Sequence, residues 1–316
     1  VGPRCVGVTA ATLWGGGFII GSIGIYTHQL WLVYLGYGVF GGCGLGLGYV
    51  SPVSTLIRWF PDRRGMATGM AIMGFGGGAM IGAPLKKFLL DYFAKSPDYL
   101  GTEDSLTLIT EGGRRFADVA GEKLEVVVAS AAEAAQMAVP GDAGVYVVGT
   151  GNTGATGAFL TLGIVYFIIM IIASFQYRVP AEGWKPKGYT PPTPQESAAK
   201  MKTLDNVHIN QAIKTPQFYQ LWIVLCFNVS AGIGVIGVAK TMMSEIFGSA
   251  PSGTELASIV TATFAGTYVL MISVFNMCGR IIWASLSDYI GRKNTYHCFF
   301  VLGTLLYLSI PFTASA

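Results

Sequence analysis

Residues 58–69 read RWFPDRRGMATG, a short charged turn between two long apolar segments. Four charged side chains fall within its first seven positions: Arg58, Asp62, Arg63 and Arg64. Of the 316 residues in the chain, 52% are hydrophobic and only 12% are charged, against about 25% in soluble domains. A soluble core could not bury so much apolar surface, whereas a lipid bilayer is itself an apolar solvent. The charged turn is therefore predicted to be a water-exposed loop between two membrane helices.

A helix needs about 20 apolar residues to cross the hydrocarbon core of a bilayer. Six segments meet this length, at residues 5–27, 31–57, 66–93, 155–177, 218–247 and 256–286. A seventh begins near residue 295 and is expected to end near Pro311 or to be cut short. Because the chain begins at Val1 without a signal peptide and stops inside this apolar run, we expect it to be part of a longer protein.

Basic residues mark alternate connections between these segments. Lys and Arg are enriched on the cytoplasmic side of membrane helices. The two short connections on the opposite side, residues 27–30 and 248–255, contain neither. The predicted cytoplasmic ends are those that carry Arg4, Arg58, Arg63, Arg64, Arg178, Lys185, Lys187, Lys200, Lys202, Lys214, Arg292 and Lys293.

Two parts of the chain do not read as membrane segments. Residues 178–217 are rich in proline and charge, which predicts a cytoplasmic connector that is partly disordered. Residues 95–153 are predicted to form a small extracytoplasmic α/β insert. Within it, EVVVAS and GVYVV indicate strands, and AAEAAQM between them indicates a short helix.

The glycines are arranged in patterns that allow more than one interpretation. Gly149, Gly151 and Gly154 match the G-x-G-x-x-G pattern of dinucleotide sites, but no acidic residue follows about 20 positions later within a βαβ unit. A flexible entry into the membrane is the favoured interpretation there. In two apolar segments, glycines recur every fourth residue and predict close helix packing, static or sliding: Gly38, Gly42 and Gly46 with a neighbouring stripe at Gly44 and Gly48, then Gly74, Gly78 and Gly82.

A second charged turn, ASLSDYIGRKN at residues 284–294, follows a long apolar segment. Its spacing resembles the loop motif G-x-x-x-D-x-x-G-R-[KR] of the major facilitator superfamily, with Ala284 in place of the first glycine. The opening VGPR resembles the end of another copy. In that superfamily the motif follows helices 2 and 8, so the resemblance implies that this chain covers helices 3 to 9 of 12.

Three stretches further resemble the oxalate/formate antiporter family: residues 44–85, RVPAEGWKPKGY at 178–189 and NMCGRIIWASLSDYIGRK at 276–293. The resemblance implies an all-α polytopic fold with an outer insert. It divides the chain into helices 3–5 of the N-terminal bundle (1–94), the insert (95–153), helix 6 (154–177), an inter-bundle linker (178–217) and helices 7–9 of the C-terminal bundle (218–316).

Ionisable residues within membrane spans are costly and suggest function. Arg280 lies eight residues before Asp288, about 12 Å along a helix, which is deep for a loop arginine. Its guanidinium can bind a carboxylate through two hydrogen bonds, and in the resembling family this arginine is implicated in anion binding. Asn276 begins the same segment, and Tyr49 and Phe75 are candidate aromatic contacts. The alternatives are a snorkelling arginine and aromatic residues that only pack.

The charged turns are the candidate gate. In proteins of this class such loops act as latches, and Asp288 can face a helix N-terminus or an arginine while the inner gate is shut. Exposed ion pairs contribute only about 0–1 kcal/mol each, so a cluster is needed to bias an equilibrium. The predicted gating residues are Asp288, Arg292, Lys293, Asp62, Arg63 and Arg64; the alternative is solvated turns.

These features predict a secondary active transporter that exchanges small carboxylates such as oxalate and formate by alternating access. A proton-coupled monocarboxylate symporter is the alternative, and a receptor that uses the outer insert is the alternative of another class. Enzymatic activity is not expected, since the three histidines are scattered, and no cofactor, metal or nucleic-acid partner is predicted. The expected state is a monomer embedded in the plasma membrane.

Overall fold

The computed structural model describes residues 2–119, 121–190, 207–247 and 262–315. The chain divides into two compact units. The first unit comprises Val1–Thr55 and Ile81–Val179, and the second comprises Leu56–Met80 and Pro180–Ala316. Most of the predicted connector, residues 191–206, and the connection at 248–261 lie outside the described residues.

Long helices account for most of the described chain. In order, the helices are α1 (Pro3–Tyr26), α2 (Leu30–Trp59), α3 (Arg64–Phe93), the short α4 (Ala131–Ala135), α5 (Ala155–Phe175), the short α6 (Ile209–Ala212), α7 (Pro216–Phe247), α8 (Ala262–Ile290) and α9 (Arg292–Ser315). Seven of these, all except α4 and α6, are long and apolar enough to cross a membrane. The seven predicted spans are therefore confirmed.

Helix boundaries follow from proline and glycine. α2 ends at Trp59, two residues before Pro61, whose ring disfavours a helical conformation in the residue before it. Gly291, with a φ of +85°, separates α8 from α9, because only glycine adopts this conformation at no steric cost. The seventh membrane span runs from Arg292 to Phe312, so it ends next to Pro311 as expected, while helix α9 itself continues to Ser315.

In the first unit, α1 packs closely against α5. The two helices meet at glycines: a Cβ atom added at Gly15 would lie 2.7 Å from Cβ of Phe167, and one added at Gly163 would lie 2.9 Å from Cβ of Phe18. Ser22 donates a hydrogen bond of 2.8 Å from Oγ to the carbonyl oxygen of Thr156. Interhelical hydrogen bonds and close backbone contact are what hold helices together in lipid.

Of the two predicted glycine stripes on α2, the one at Gly44 and Gly48 is packed. An added Cβ at Gly44 would lie 2.6 Å from the backbone nitrogen of Trp14 on α1, and one at Gly48 would lie 3.6 Å from Cβ of Ala10. No heavy atom of the described residues outside the local helix lies within 4 Å of a Cβ placed at Gly38, Gly42, Gly46, Gly74 or Gly78. On α3, the packed glycines include Gly65, Gly69 and Gly76. A four-residue repeat shows that a helix can pack closely, but it does not show which face does so.

The insert contains an antiparallel sheet of five strands in the order β2-β6-β5-β4-β3. The strands are β2 (Tyr99–Gly101), β3 (Leu108–Glu111), β4 (Arg114–Val119), β5 (Glu122–Ala129) and β6 (Gly144–Val147), while β1 (Ala94–Lys95) pairs separately with β7 (Asn152–Thr153). Ala117, Val126 and Val145 form its buried core. The predicted strands at β5 and β6 and helix α4 are confirmed. Strands β2, β3 and β4 were not predicted, because β2 has only three residues and polar residues interrupt the apolar pattern of β3 and β4.

The G-x-G-x-x-G segment joins the insert to α5. Gly149 and Gly154 have positive φ angles of +83° and +76°. Asn152 accepts a hydrogen bond of 2.9 Å from the backbone N–H of Gly154, and a Cβ at Gly151 would lie 2.7 Å from the nitrogen of Pro97. A Cβ at Gly154 would overlap the carbonyl oxygen of Leu90. These glycines make a tight turn that packs against the end of α3.

We expect Gly154→Ala to destabilise the protein more than Gly149→Ala. Both substitutions place a Cβ on a backbone with positive φ, which costs about 1–2 kcal/mol, but only the Gly154 variant also forces a backbone overlap. The melting temperature in detergent should therefore fall by several degrees more for Gly154→Ala. Equal losses for the two variants would show that the contact with Leu90 contributes nothing.

Candidate carboxylate site and gate

In the second unit, α3 crosses α8 along a glycine-lined seam, which comprises Gly65, Gly69 and Gly76. A Cβ added at Gly69 would lie 2.7 Å from the carbonyl oxygen of Arg280, and one at Gly76 would lie 3.0 Å from Arg280 Nε. Ser273, only 4% exposed, donates a hydrogen bond of 2.8 Å from Oγ to the carbonyl oxygen of Gly76. The seam places the backbone of α3 directly against the side chains of α8.

Arg280 lies beside this seam with two of its predicted neighbours. Its Nε donates a hydrogen bond of 2.8 Å to Oδ1 of Asn276, one helical turn earlier. Its guanidinium carbon lies 5.2 Å from the centre of the Phe75 ring, within the range of a cation–π interaction. The structure thus brings together Arg280, Asn276 and Phe75, and leaves the guanidinium half-buried.

Tyr49, the fourth candidate for substrate contact, lies on α2 in the first unit. Its side chain is 37% exposed. A role for Tyr49 in substrate binding stays a prediction. Ser273 and the seam glycines were not identified as site residues, because serine and glycine are common throughout these helices and nothing in their local spacing singles them out.

Asp288 caps the N-terminus of α3. Its Oδ1 accepts a hydrogen bond of 3.0 Å from the backbone N–H of Gly65, and its Oδ2 accepts one of 3.0 Å from the N–H of Met66. Arg292 forms an ion pair of 2.7 Å with the same carboxylate and also contacts Ser287 Oγ. Asp288 is only 18% exposed, so water screens these contacts poorly. A carboxylate at a helix N-terminus is favoured by the free N–H groups and by the helix dipole.

The other predicted gating residues are more exposed. Asp62 and Arg63 approach only to 4.0 Å, with 37% and 62% of their side chains exposed. An exposed pair at this distance contributes about 0–1 kcal/mol. Arg64 is the first residue of α3 and Lys293 the second of α9, and both are exposed. Their participation in a gate stays a prediction.

In the described part of the chain, no group of three or more His, Cys, Asp or Glu side chains could hold a metal ion. All five cysteines are free thiols.

The sequence of this chain is similar to those of several known membrane proteins. The sequence profile of the Major Facilitator Superfamily matches residues 1–96. The chain is 22% identical to Apicoplast pyruvate carrier 1 of Toxoplasma gondii, over 98% of this chain and 54% of that protein. It is 24% identical to the Oxalate:formate antiporter of Oxalobacter formigenes, over 87% of this chain and 46% of that protein. Monocarboxylate transporter 11 of Mus musculus is 35% identical over 28% of this chain and 22% of that protein.

The profile match and the seven apolar helices define an integral, multi-pass membrane protein with the major facilitator fold. The predicted fold class, an all-α polytopic membrane protein with the major facilitator fold and a small insert, is confirmed. The names of these relatives describe a carrier, an antiporter and a transporter. The chain spans about half the length of the first two relatives.

Proposed function

We propose that this protein is a secondary active transporter that exchanges small carboxylates across a membrane by alternating access. The observation that carries the proposal is the position of Arg280. It lies ten residues before the end of α8, about 15 Å along the helix axis, in a segment apolar enough to span a bilayer. An arginine at this depth in a membrane span is costly unless it binds an anion or lines a polar path.

The positive charge of Arg280 and the names of the relatives both support a carboxylate as the substrate class. A guanidinium matches the planar geometry of a carboxylate, which it can bind through two parallel hydrogen bonds. The names of the three relatives refer to pyruvate, to oxalate and formate, and to monocarboxylates, all of which are small carboxylates. These names support the class, and exchange of oxalate and formate is our specific proposal within it.

Proton-coupled symport of a monocarboxylate is the second candidate, supported by the 35% identity to a monocarboxylate transporter. The carboxylates of the described spans bear on the choice. Asp91, Glu245 and Asp288 each lie two residues before the end of their helix. Positions at the ends of membrane helices lie near the membrane surface, whereas an intramembrane proton carrier lies deep in a helix bundle. This placement favours exchange.

The contacts of Asp288 suggest how the inner gate works. With the gate shut, its carboxylate binds two N–H groups of α3 and the guanidinium of Arg292. Opening toward the cytoplasm would separate α3 from α8, break both backbone hydrogen bonds and return the groups to water. Because water replaces the lost bonds, the net cost is a few kcal/mol, small enough to be reversed in each transport cycle.

Flux into liposomes tests the proposal. Liposomes that contain the full-length protein and are loaded with oxalate should take up external radiolabelled oxalate or formate, and empty liposomes should not. Uptake into empty liposomes that follows an inward proton gradient would instead indicate symport. A receptor or an enzyme would accumulate no label under any of these conditions. The expected monomer is checked by the mass of the protein in detergent.

A further inference from the structure

The hydrogen bond between Asn276 and Arg280 restricts how the guanidinium can bind an anion. A guanidinium carries five N–H donors, one on Nε and four on the two terminal nitrogens. A carboxylate can bind side-on, to Nε and one terminal nitrogen, or end-on, to both terminal nitrogens. Asn276 Oδ1 occupies the Nε–H at 2.8 Å. Among the described residues, no hydrogen bond reaches the terminal nitrogens of Arg280.

We propose that Asn276 is a positioning residue that blocks the side-on mode and presents the two terminal nitrogens of Arg280, end-on, to a planar carboxylate. This inference rests on the proposed function and changes the predicted role of Asn276, which acts through Arg280 rather than by touching the substrate. The side chain oxygen is the part of Asn276 that matters, since it accepts the Nε–H.

The surroundings of Arg280 fix the rest of the geometry. The Phe75 ring lies 5.2 Å from the guanidinium carbon and restrains the guanidinium from that side. A Cβ at Gly76 would lie 3.0 Å from Nε and 3.1 Å from Cδ, so the arginine stem runs directly along the backbone of α3. The buried hydrogen bond from Ser273 to Gly76 holds that backbone in place. Within the described residues, the arginine is thus contacted along its stem, at Nε and on the face of its guanidinium, while its terminal nitrogens make no hydrogen bond.

A double-mutant cycle in the full-length protein tests the inference, with oxalate affinity measured by titration calorimetry in detergent. Asn276→Ala should weaken oxalate binding about tenfold, because the guanidinium loses its orientation. Lysine has no Nε–H for Asn276 to bind. In the Arg280→Lys background, therefore, Asn276→Ala should change the affinity by less than about twofold. Asn210→Ala, at an exposed asparagine in α6, is the matched control and should match the wild type.

The outcomes separate the two roles. If Asn276→Ala weakens binding equally in both backgrounds, Asn276 contacts the substrate itself and the inference is wrong while the proposed function stands. If the wild type binds no oxalate, formate or pyruvate, the proposed function itself is wrong. That outcome differs from the first one, in which the wild type binds oxalate and Asn276→Ala still weakens binding in the Arg280→Lys background.

A second measurement covers the case in which Arg280→Lys binds too weakly to titrate. In protein labelled with ¹⁵N-arginine, the Nε resonance that disappears in Arg280→Lys belongs to Arg280. It should shift in Asn276→Ala and stay within its linewidth when oxalate is added, while the terminal nitrogen resonances move. A shift of the Nε resonance on oxalate binding as large as that of the terminal nitrogens would show side-on binding and overturn the inference.

Discussion

Arg280→Gln is expected to abolish carboxylate exchange. Glutamine keeps a polar, though shorter, side chain but removes the positive charge and the paired donors that bind a carboxylate. A charge-assisted pair of hydrogen bonds in a site of low polarity contributes about 3 kcal/mol or more, so oxalate affinity should fall at least about a hundredfold. Uptake of labelled oxalate into oxalate-loaded liposomes should drop to the level of protein-free liposomes.

The matched control is Arg114→Gln. Arg114 lies on β4 of the insert, where it forms an exposed ion pair of 3.3 Å with Glu125. The substitution is the same, and exposed pairs contribute little, so this variant should transport at the wild-type rate. Both variants should elute as monodisperse protein with unchanged helical content. Normal exchange by correctly folded Arg280→Gln would remove Arg280 from the substrate site.

The second large effect is expected at the seam between α3 and α8. In Gly69→Ala, the new Cβ would lie 2.7 Å from the carbonyl oxygen of Arg280 and 2.8 Å from Cβ of Ala284, closer than real Cβ contacts allow. Neither neighbour is the end of a flexible side chain, so the helices must move apart. Overpacking costs about 1–3 kcal/mol, which shifts an equilibrium between a shut and an open gate about fivefold to a hundredfold toward the open state.

Spin labels can report this shift directly. Met70 and Tyr289 are exposed positions on α3 and α8, at 53% and 80%. Labels attached there should give a longer mean distance by double electron–electron resonance in Gly69→Ala than in the wild type, and exchange should slow about tenfold or more. Gly78→Ala is the matched control on the same helix, since no heavy atom of the described residues lies within 4 Å of its Cβ position. Unchanged distances in Gly69→Ala would contradict the shut-gate role of the seam.

At the charged turn around Asp288, the sequence predicted the type of contact but not the helix that makes it. The pattern around Asp288 predicted a carboxylate that faces a helix N-terminus or an arginine, and the structure contains both contacts. The sequence did not identify which helix. The partner, Gly65, is 223 residues away along the chain, and no local signal distinguishes its helix N-terminus from others.

For the glycines, the sequence predicted which helices pack closely but did not identify all of the positions in contact. Repeats of four predicted that α2 and α3 pack closely, and glycines of both helices do. On α2 the packed stripe is one of the two predicted, Gly44 and Gly48, whereas on α3 the packed glycines include Gly65, Gly69 and Gly76, outside the predicted stripe. A glycine marks a position where a backbone can be approached. Which positions are approached depends on the crossing angle and rotation of the second helix, and those are properties of the pair.

The sequence by itself determined the membrane class, the seven spans, the insert and the position of Arg280 deep in an apolar helix. These features depend on the length, hydrophobicity and charge of each segment, which decide separately for each segment whether it can cross a bilayer. The bond between Arg280 and Asn276 is also local, at one helical turn. Only the tertiary structure decided that Phe75 lies over the guanidinium and that Asp288 caps α3. Those contacts join segments more than 200 residues apart, and they exist because two helices cross at glycines that leave no side chain between their backbones.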